Sequence, residues 1–218
     1  MRHILTYYYW GTLFTVAFYL LFRFRRVDRA SKVICLLIWL GFLTEGIGYY
    51  AAWKYHNNYP VYTPSIFIEF VLISLYFNFS VPVLQKNKAG IYIAAAGVLL
   101  GVMNTFFLQP IDTLSSNFMF LECLVVVCFS LFAIYRLLLI DSDKVVLHRK
   151  VHFWLPFILL FYQCANLSAW GIYDKYGNNA EDAKMLDFSI LTINIITYSS
   201  FGLIFFRYPK MKAIHVQY

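Results

Sequence analysis

The sequence predicts an all-α integral membrane protein with seven transmembrane helices, and three observations support this. Of the 218 residues, 61% are hydrophobic and only 13% are charged, which is about half the charged fraction of a soluble domain. Seven stretches are apolar over a length that lets a helix cross a bilayer. They are continuously apolar rather than alternating, which excludes a transmembrane β-barrel. The positive charges collect on one side of these stretches, as is typical of membrane proteins.

The predicted helices follow one another with short connections. We number them 1 to 7 and place them near residues 4–22, 33–53, 61–81, 89–108, 117–138, 152–173 and 187–206. Several contain Gly, Ser, Thr and β-branched residues, which is usual in lipid. The basic cluster of helix 1 follows its apolar run, so helix 1 is not a cleaved signal peptide. No connection has room for a soluble domain, so residues 1–218 are predicted to form a single transmembrane domain.

The positions of lysine and arginine predict the orientation. Fourteen of the 18 basic residues follow helices 1, 3, 5 or 7 or lie in the next connection: Arg23, Arg25, Arg26, Arg29, Lys32, Lys86, Lys88, Arg136, Lys144, Arg149, Lys150, Arg207, Lys210 and Lys212. The other four, Arg2, Lys54, Lys175 and Lys184, lie on the opposite side. The positive-inside rule then places the N-terminus outside and the C-terminus in the cytoplasm. The net charge of +7 is explained by this rule, and no nucleic-acid partner is indicated.

A weak internal repeat relates the two halves of the chain. The end of helix 2 reads TEGIGYYAAWKYHNN and the end of helix 6 reads ANLSAWGIYDKYGNN, which share the string KY-x-NN. This alignment places Glu45 opposite Asn166. After a four-residue insertion it also places Glu69 of helix 3 opposite Asn194 of helix 7. Chance similarity between aromatic-rich segments is the alternative explanation.

The repeat predicts a 3+1+3 arrangement, with residues 4–81 and 117–206 as parallel repeats and residues 89–108 as the linker helix. In outline this is similar to the small sugar-transporting membrane proteins, whose repeats are parallel. Seven helices with an outside N-terminus are also seen in microbial rhodopsins. The motifs of both are missing, because helix 7 carries no lysine for retinal and no Pro-Gln dipeptide marks the repeats. No family is therefore identified.

Three carboxyl groups lie inside the predicted helices. Glu45, Glu69 and Glu122 fall within helices 2, 3 and 5, and no lysine or arginine lies in the membrane core to neutralise them. An ionisable residue in the membrane is costly and usually marks an ion path, a proton relay or a ligand pocket. The carboxyls are expected to be protonated in part or to hold a cation.

The polar residues of six helices lie in the outer half of the membrane, where they predict an acidic polar pocket. Counting back from the outer helix ends at about 1.5 Å per residue places them about 7–16 Å below those ends. Amide and aromatic side chains on these helices complete the site, and four aromatic residues are interpreted as walls for an organic cation: Tyr49, Tyr50, Trp170 and Tyr198. The predicted ligand-binding residues are Glu45, Glu69, Glu122, Asn104, Gln163, Asn166, Trp170, Asn194 and Tyr198.

Helical spacing predicts which side chains face the interior of the bundle. Gly41, Glu45, Gly48 and Ala52 follow i, i+4, i+7 and i+11, and a face of small residues is a packing face. The alternative is a hydrogen-bonded network that only joins helices, which would explain the amides alone. It explains three carboxyls less well, because glutamine would serve without an ionisable group. For the aromatic residues, the alternative is the belt at the membrane interface.

Metal and cysteine chemistry are not indicated. The four cysteines, Cys35, Cys123, Cys128 and Cys164, lack metal-ligand spacing and are interpreted as small apolar core residues. Carboxylates without histidine suit zinc poorly. No catalytic residue, metal site or cofactor is assigned.

Three functions fit this reading. The first is binding of a small solute or cation for transport. The second is a ligand sensor that signals through a partner protein. The third is an intramembrane enzyme acting on lipids with paired carboxyls, and an enzyme is the less favoured class. The expected surroundings are the lipid bilayer of a bacterial-type inner membrane or plasma membrane, with a signalling partner or a second copy of the chain as further candidates. A polar path through the inner half would favour transport over the other two.

Overall fold

A computed structural model describes residues 2–140, 150–176 and 180–208, all of them in helices or in short connections. Side chains are described within these ranges except for residues 2–3, 140 and 170–187. The helices of this part of the chain are α1 (Arg2–Arg23), α2 (Arg29–Tyr55), α3 (Tyr59–Ser80), α4 (Pro82–Lys86), α5 (Ala89–Phe107), α6 (Ser116–Ile140), α7 (Val151–Tyr176) and α8 (Ala180–Arg207), with a 3-10 turn at Phe24–Arg26.

The predicted fold class is confirmed as an all-helical chain with seven membrane-length helices. Apart from the five-residue α4, every helix is long and apolar enough to cross a membrane, and predicted helices 1 to 7 correspond to α1, α2, α3, α5, α6, α7 and α8. Large apolar side chains such as Phe14, Phe18 and Phe22 of α1 are exposed, which suits a helix surrounded by lipid. The chain is an integral membrane protein by these criteria.

The helix ends follow local signals that hydropathy does not contain. Helix α2 begins four residues before the predicted start, because Asp28 Oδ2 accepts hydrogen bonds from the amides of Ala30 (3.0 Å) and Ser31 (3.3 Å) and so caps the first turn. It ends at Tyr55, and the next residue, His56, adopts the left-handed conformation with φ of 54° and donates its backbone N–H to the Ala52 carbonyl. The short helix α4 was not predicted. It begins at Pro82, a residue suited to the first turn of a helix.

The chain forms two compact units. The central unit is Arg26–Val125, and the terminal unit is Met1–Arg25 together with Val126–Gln217. These units divide α6 and separate α1 from α2 and α3, so they do not coincide with the predicted repeats, 4–81 and 117–206. The repeat, the linker role of helix 4 and the orientation in the membrane remain predictions.

In the central unit, α3 packs along both α2 and α5. Helix α5 presents α3 with a face of small residues spaced i, i+4, i+7 and i+11, all of them buried: Gly90, Ala94, Gly97 and Gly101. A Cβ added at Gly97 would lie 2.0 Å from Cε1 of Phe70, so the two backbones approach closely only because glycine stands there. The Phe118 ring of α6 contacts Phe67 and Phe70 of α3, with ring centroids 4.7 and 5.6 Å apart.

In the terminal unit, α8 packs along both α1 and α7. Gly202 of α8 faces Val16 of α1, where an added Cβ would lie 2.9 Å from Cγ2 of the valine. The rings of Tyr9 and Tyr198 lie with centroids 6.1 Å apart and join the same two helices. One glycine and one pair of aromatic rings therefore join α1 to α8.

Candidate functional site

Glu45 forms a hydrogen bond across the α2–α3 contact. The Tyr62 hydroxyl donates to Oε2 of Glu45 over 3.0 Å. Gly48, one turn further along α2, leaves room for the tyrosine ring, because a Cβ there would lie 2.9 Å from Tyr62 Cε2. Glu45 is half-buried, and its carboxylate accepts this hydrogen bond from a neutral donor.

A second polar contact between the same helices lies beside Glu45. Thr44 Oγ1 donates to Ser65 Oγ over 2.9 Å, and the serine hydroxyl donates to the Val61 carbonyl over 2.8 Å. Thr44, Gly48 and Ala51 are the buried residues of α2 near this end, so the packing face is rotated slightly from the predicted one. Glu45 lies at the edge of that face rather than at its centre.

Glu69 and Glu122 form a pair of carboxyl groups, from α3 and α6. They lie close enough to interact electrostatically. Glu122 is only 5% exposed, and its Oε1 is buried without a hydrogen-bond partner among the described residues. Glu69 is partly exposed. We call these two residues the carboxyl pair. The sequence supplies no lysine, arginine or histidine at residues 33–53, 59–85 or 89–135, so these parts of the unit contain no basic side chain to neutralise the pair.

Asn104 is buried near the C-terminal end of α5. Its side chain forms hydrogen bonds with the following loop and with the first turn of α6. Its Nδ2 donates to Gln109 Oε1 (3.1 Å) and to Ser115 Oγ (3.3 Å). Its Oδ1 accepts from Asn117 Nδ2 over 3.2 Å. Gln109 also accepts from the Asn117 amide over 3.1 Å. These bonds explain why an asparagine is buried here without any ligand, which favours the helix-joining alternative for Asn104.

Two loops cover this end of the central unit. Asn57, in the turn between α2 and α3, donates from Nδ2 to the Asp112 carbonyl over 3.1 Å and joins that turn to the α5–α6 loop. We call this the loop end of the unit. The opposite end, which carries the basic residues Arg26, Arg29, Lys32, Lys86 and Lys88, is the basic end.

The other predicted ligand-binding residues belong to the terminal unit. Gln163 is buried, and Asn166 and Asn194 are half-buried, with Asn194 Oδ1 lacking a hydrogen-bond partner in the described part of the chain. Tyr198 packs against Tyr9. The Trp170 side chain lies outside the described residues. Glu45 and Glu69 belong to the central unit, whereas Asn166 and Asn194 belong to the terminal unit. The enclosure of one cavity by these four residues remains a prediction.

Sequence reasoning missed the hydroxyl partner of Glu45, which is Tyr62. Nothing in the spacing of the sequence relates these two residues, because they lie on different helices. Two tyrosines considered as aromatic walls, Tyr49 and Tyr50, are exposed, which agrees with the interfacial belt. The interpretation of all four cysteines as core residues was wrong in part. Cys35 and Cys123 are buried, but Cys128 and Cys164 are exposed on their helices, where an apolar thiol suits contact with lipid.

Two grooves lie in the terminal unit, away from the carboxyls. One runs between α1 and α8 with a volume of about 780 Å³. The other runs between α7 and α8 with a volume of about 390 Å³. Neither is lined by a predicted ligand-binding residue. Among the described residues, no three His, Cys, Asp or Glu side chains are grouped to hold a metal ion. Comparisons with protein families, with curated proteins and with solved structures find no match.

Proposed function

We propose that this membrane protein binds a small cation, a proton or a metal cation such as sodium, at the carboxyl pair Glu69–Glu122, and that it does so to move a solute across the membrane. The observation that carries the proposal is the Glu122 carboxyl, which is buried beside a second carboxyl with one oxygen unpartnered. A bare charge there costs several kcal/mol. A bound proton or cation offsets that cost, and a group that must gain and lose a cation is the working part of a coupled transporter.

Glu45 is assigned a supporting role in this proposal. Its hydrogen bond from Tyr62 stabilises the ionised form without a bound cation. Glu45 therefore adds negative potential at the loop end, which attracts a cation, while the pair itself holds it. The polar residues of the terminal unit are proposed as contacts for a co-transported solute, on their predicted depth alone.

A ligand sensor is the second candidate, and one observation favours it. Between the carboxyl pair and the basic end, α2 and α3 bury a set of apolar side chains that are each at most 1% exposed: Ile34, Ile38, Phe70, Ile73 and Phe77. We call this set the apolar layer. A layer that never opens would leave a pocket reached only from the loop end, as a receptor requires.

Cation binding is tested by thermal unfolding of the purified protein in detergent. We expect the parent to be more stable in sodium chloride than in choline chloride of equal ionic strength, or more stable at about pH 5 than at about pH 9. A cation at a hundred times its Kd adds about 2.7 kcal/mol to the free energy of unfolding. Glu69→Gln and Glu122→Gln should fold at least as well as the parent and lose this gain.

The matched control is Asp112→Asn, which removes one negative charge from the α5–α6 loop of the same unit and should keep the gain. The proposal is contradicted if neither sodium nor acid stabilises the parent while both glutamine variants are strongly destabilised at every pH. The carboxyls would then be structural acceptors.

A further inference from the structure

The groove between α7 and α8 has apolar walls along most of its length. Its volume of about 390 Å³ lies within the range of pockets that take small ligands, about 300–1,000 Å³. Aromatic and aliphatic side chains from both helices form the walls: Trp154, Phe157, Phe161, Ile196, Leu203 and Ile204. Both phenylalanines and Leu203 are exposed, so the groove opens sideways, toward the lipid that surrounds a membrane-spanning helix.

Two hydroxyl residues of α8 also line the groove, but they add little polarity to it. Ser200 Oγ donates to the Ile196 carbonyl over 2.7 Å, so this hydroxyl is engaged by its own helix. Thr197 is only 4% exposed, and its Oγ1 is itself buried, without a hydrogen-bond partner in the described part of the chain. The middle of the groove therefore offers a ligand carbon atoms rather than an accessible free hydroxyl.

Among the lining residues, Arg207 is the one that carries a charge, and it lies at one end of the groove. It is the last residue of α8, and Trp154 lies three residues after the start of α7, so the arginine and the tryptophan line the same end. Arg207 is exposed. The side chains that the structure describes in the terminal unit include no aspartate or glutamate, so none of them forms a salt bridge with this arginine.

The length of the groove matches one leaflet of a bilayer. Along α8 it extends from Ile196 to Arg207, a distance of about 17 Å at about 1.5 Å per residue. The hydrocarbon core of a bilayer is about 30 Å thick, so the groove covers about half of it. A ligand that fills the groove therefore has an apolar part about as long as one leaflet and a negative group at the level of the helix end.

We propose that this groove binds an anionic phospholipid, with one acyl chain between its walls and the phosphate at Arg207. A guanidinium pairs with a phosphate through two parallel hydrogen bonds, and tryptophan is suited to the level of the headgroups. Basic pockets between membrane helices on the cytoplasmic side take anionic headgroups. The apolar walls suit the chain of any phospholipid, and the unpaired charge selects an anionic one. The proposal goes beyond cation binding at the carboxyl pair, which belongs to the central unit.

The positive-inside rule alone explains an arginine after a membrane helix, but it does not explain an arginine that lines a groove. Arg25 provides the comparison. It is exposed just beyond the end of α1 in the same unit, and it lines neither groove. Under the rule alone the two arginines are equivalent, whereas under the proposal only Arg207 selects the lipid in the groove.

The test uses two phospholipid probes with a photoreactive group in one acyl chain, a phosphatidylglycerol and a phosphatidylcholine. The full chain is reconstituted in phosphatidylcholine vesicles with a trace of one probe, and mass spectrometry locates the adducts after illumination. Residues 154–161 report the groove, and the exposed Phe14, Phe18 and Phe22 of α1 report ordinary lipid contact. We expect phosphatidylglycerol to label the groove about fivefold more than phosphatidylcholine, the selectivity that one basic residue confers, and both probes to label α1 equally.

Two variants with matched controls separate the charge from the shape of the groove. Arg207→Gln should remove the preference for phosphatidylglycerol, whereas Arg25→Gln should keep it. Ser200→Phe places a ring in the groove and should lower its labelling by either probe. Thr192→Phe is the control, because Thr192 Oγ1 also donates to its own helix, at the Phe188 carbonyl over 2.8 Å, but lines neither groove. Thermal unfolding in detergent checks that each variant is folded.

Equal labelling of the groove by the two probes would mean that it holds ordinary bilayer lipid, and the proposal would be wrong. It would also be wrong if Arg207→Gln and Arg25→Gln reduced the preference equally, because the charge would then act on the membrane surface at large. Absence of adducts in the groove, with normal labelling of α1, would mean that protein rather than lipid covers it. Glu69→Gln and Glu122→Gln should leave lipid labelling unchanged, so failure of this proposal and failure of cation binding are separate results.

Discussion

At the residue scale, the three membrane glutamates differ in their neighbours. Glu45 accepts a hydrogen bond from a phenol, while the carboxyl of Glu122 is buried with an oxygen that has no donor within the part of the chain that the structure describes. A carboxylate with a donor is stabilised as an anion, whereas one beside another carboxyl is destabilised as an anion. One residue type therefore has two kinds of surroundings in the same unit, and the distinction comes from packing rather than from the sequence near each glutamate.

Asn104 shows the same principle for an amide. Its side chain bonds to Gln109, Ser115 and Asn117, so we expect Asn104→Ala to lower the free energy of unfolding by about 1–3 kcal/mol, because buried partners lose their hydrogen bonds. The measurement is the thermal unfolding midpoint in detergent. Cation stabilisation should persist in this variant.

Asn87→Ala is the control for this prediction, since Asn87 is exposed between α4 and α5 and a surface substitution usually changes stability by at most about 0.5 kcal/mol. An Asn104→Ala protein that unfolds at the parent's temperature but no longer responds to cations would show that Asn104 belongs to the binding site instead.

At the element scale, the α3–α5 contact depends on glycine. A methyl group at Gly97 would lie 2.0 Å from Phe70 Cε1 and 2.6 Å from its Cζ. We expect Gly97→Ala to force α3 and α5 apart and to destabilise the protein by about 1–3 kcal/mol. The thermal unfolding midpoint in detergent measures this effect.

Gly46→Ala is the matched control on α2. A Cβ at Gly46 meets no atom within 4 Å, so alanine should be tolerated or should stabilise the helix by about 0.5–1 kcal/mol. Equal melting temperatures for the two variants would mean that α5 does not pack against α3 through its glycine face.

The helices could be predicted from the sequence because lipid allows few alternatives to a long apolar helix. Short features could not be predicted in this way. Helix α4 and the first turn of α2 depend on Pro82 and Asp28, and hydropathy averages over such signals. The small-residue face of α5, at residues 90, 94, 97 and 101, has a helical spacing that is visible in the sequence. The helix against which it packs could be identified only in the structure.

The candidate site was predicted only as a set of residues in the outer half of the membrane. The depth of each residue follows from counting along its helix, but the rotation of a helix depends on the shapes of all its neighbours. The meeting of Glu69 with Glu122, and of Tyr62 with Glu45, could therefore be seen only in three dimensions. The sequence near Glu122 does not predict an inward orientation, since its neighbours on α6 are mostly apolar, yet it is the most buried of the three glutamates.

At the scale of the whole molecule, function depends on which end of the central unit faces the outside. Helix α3 has 22 residues, a length of about 33 Å, which matches a hydrocarbon core of about 30 Å. The loop end and the basic end therefore lie on opposite sides of the bilayer. In the proposed function, the Glu45 carboxylate attracts cations at the loop end, whereas the basic residues at the other end repel them. A transporter in this orientation would load at the loop end.

The orientation is tested with single cysteines at the two ends of the same helix. We expect Asn58→Cys, in the turn before α3, to react with an impermeant thiol reagent added to intact cells. We expect Lys86→Cys, beyond the other end of α3, to react only after the membrane is opened, because the positive-inside rule retains basic loops in the cytoplasm. The parent is the blank for this experiment, since its exposed thiols, Cys128 and Cys164, lie within membrane-length helices that lipid shields from a polar reagent. The reverse labelling pattern would place the basic end outside. A transporter of the proposed kind would then load cations at the cytoplasmic face and release them outward.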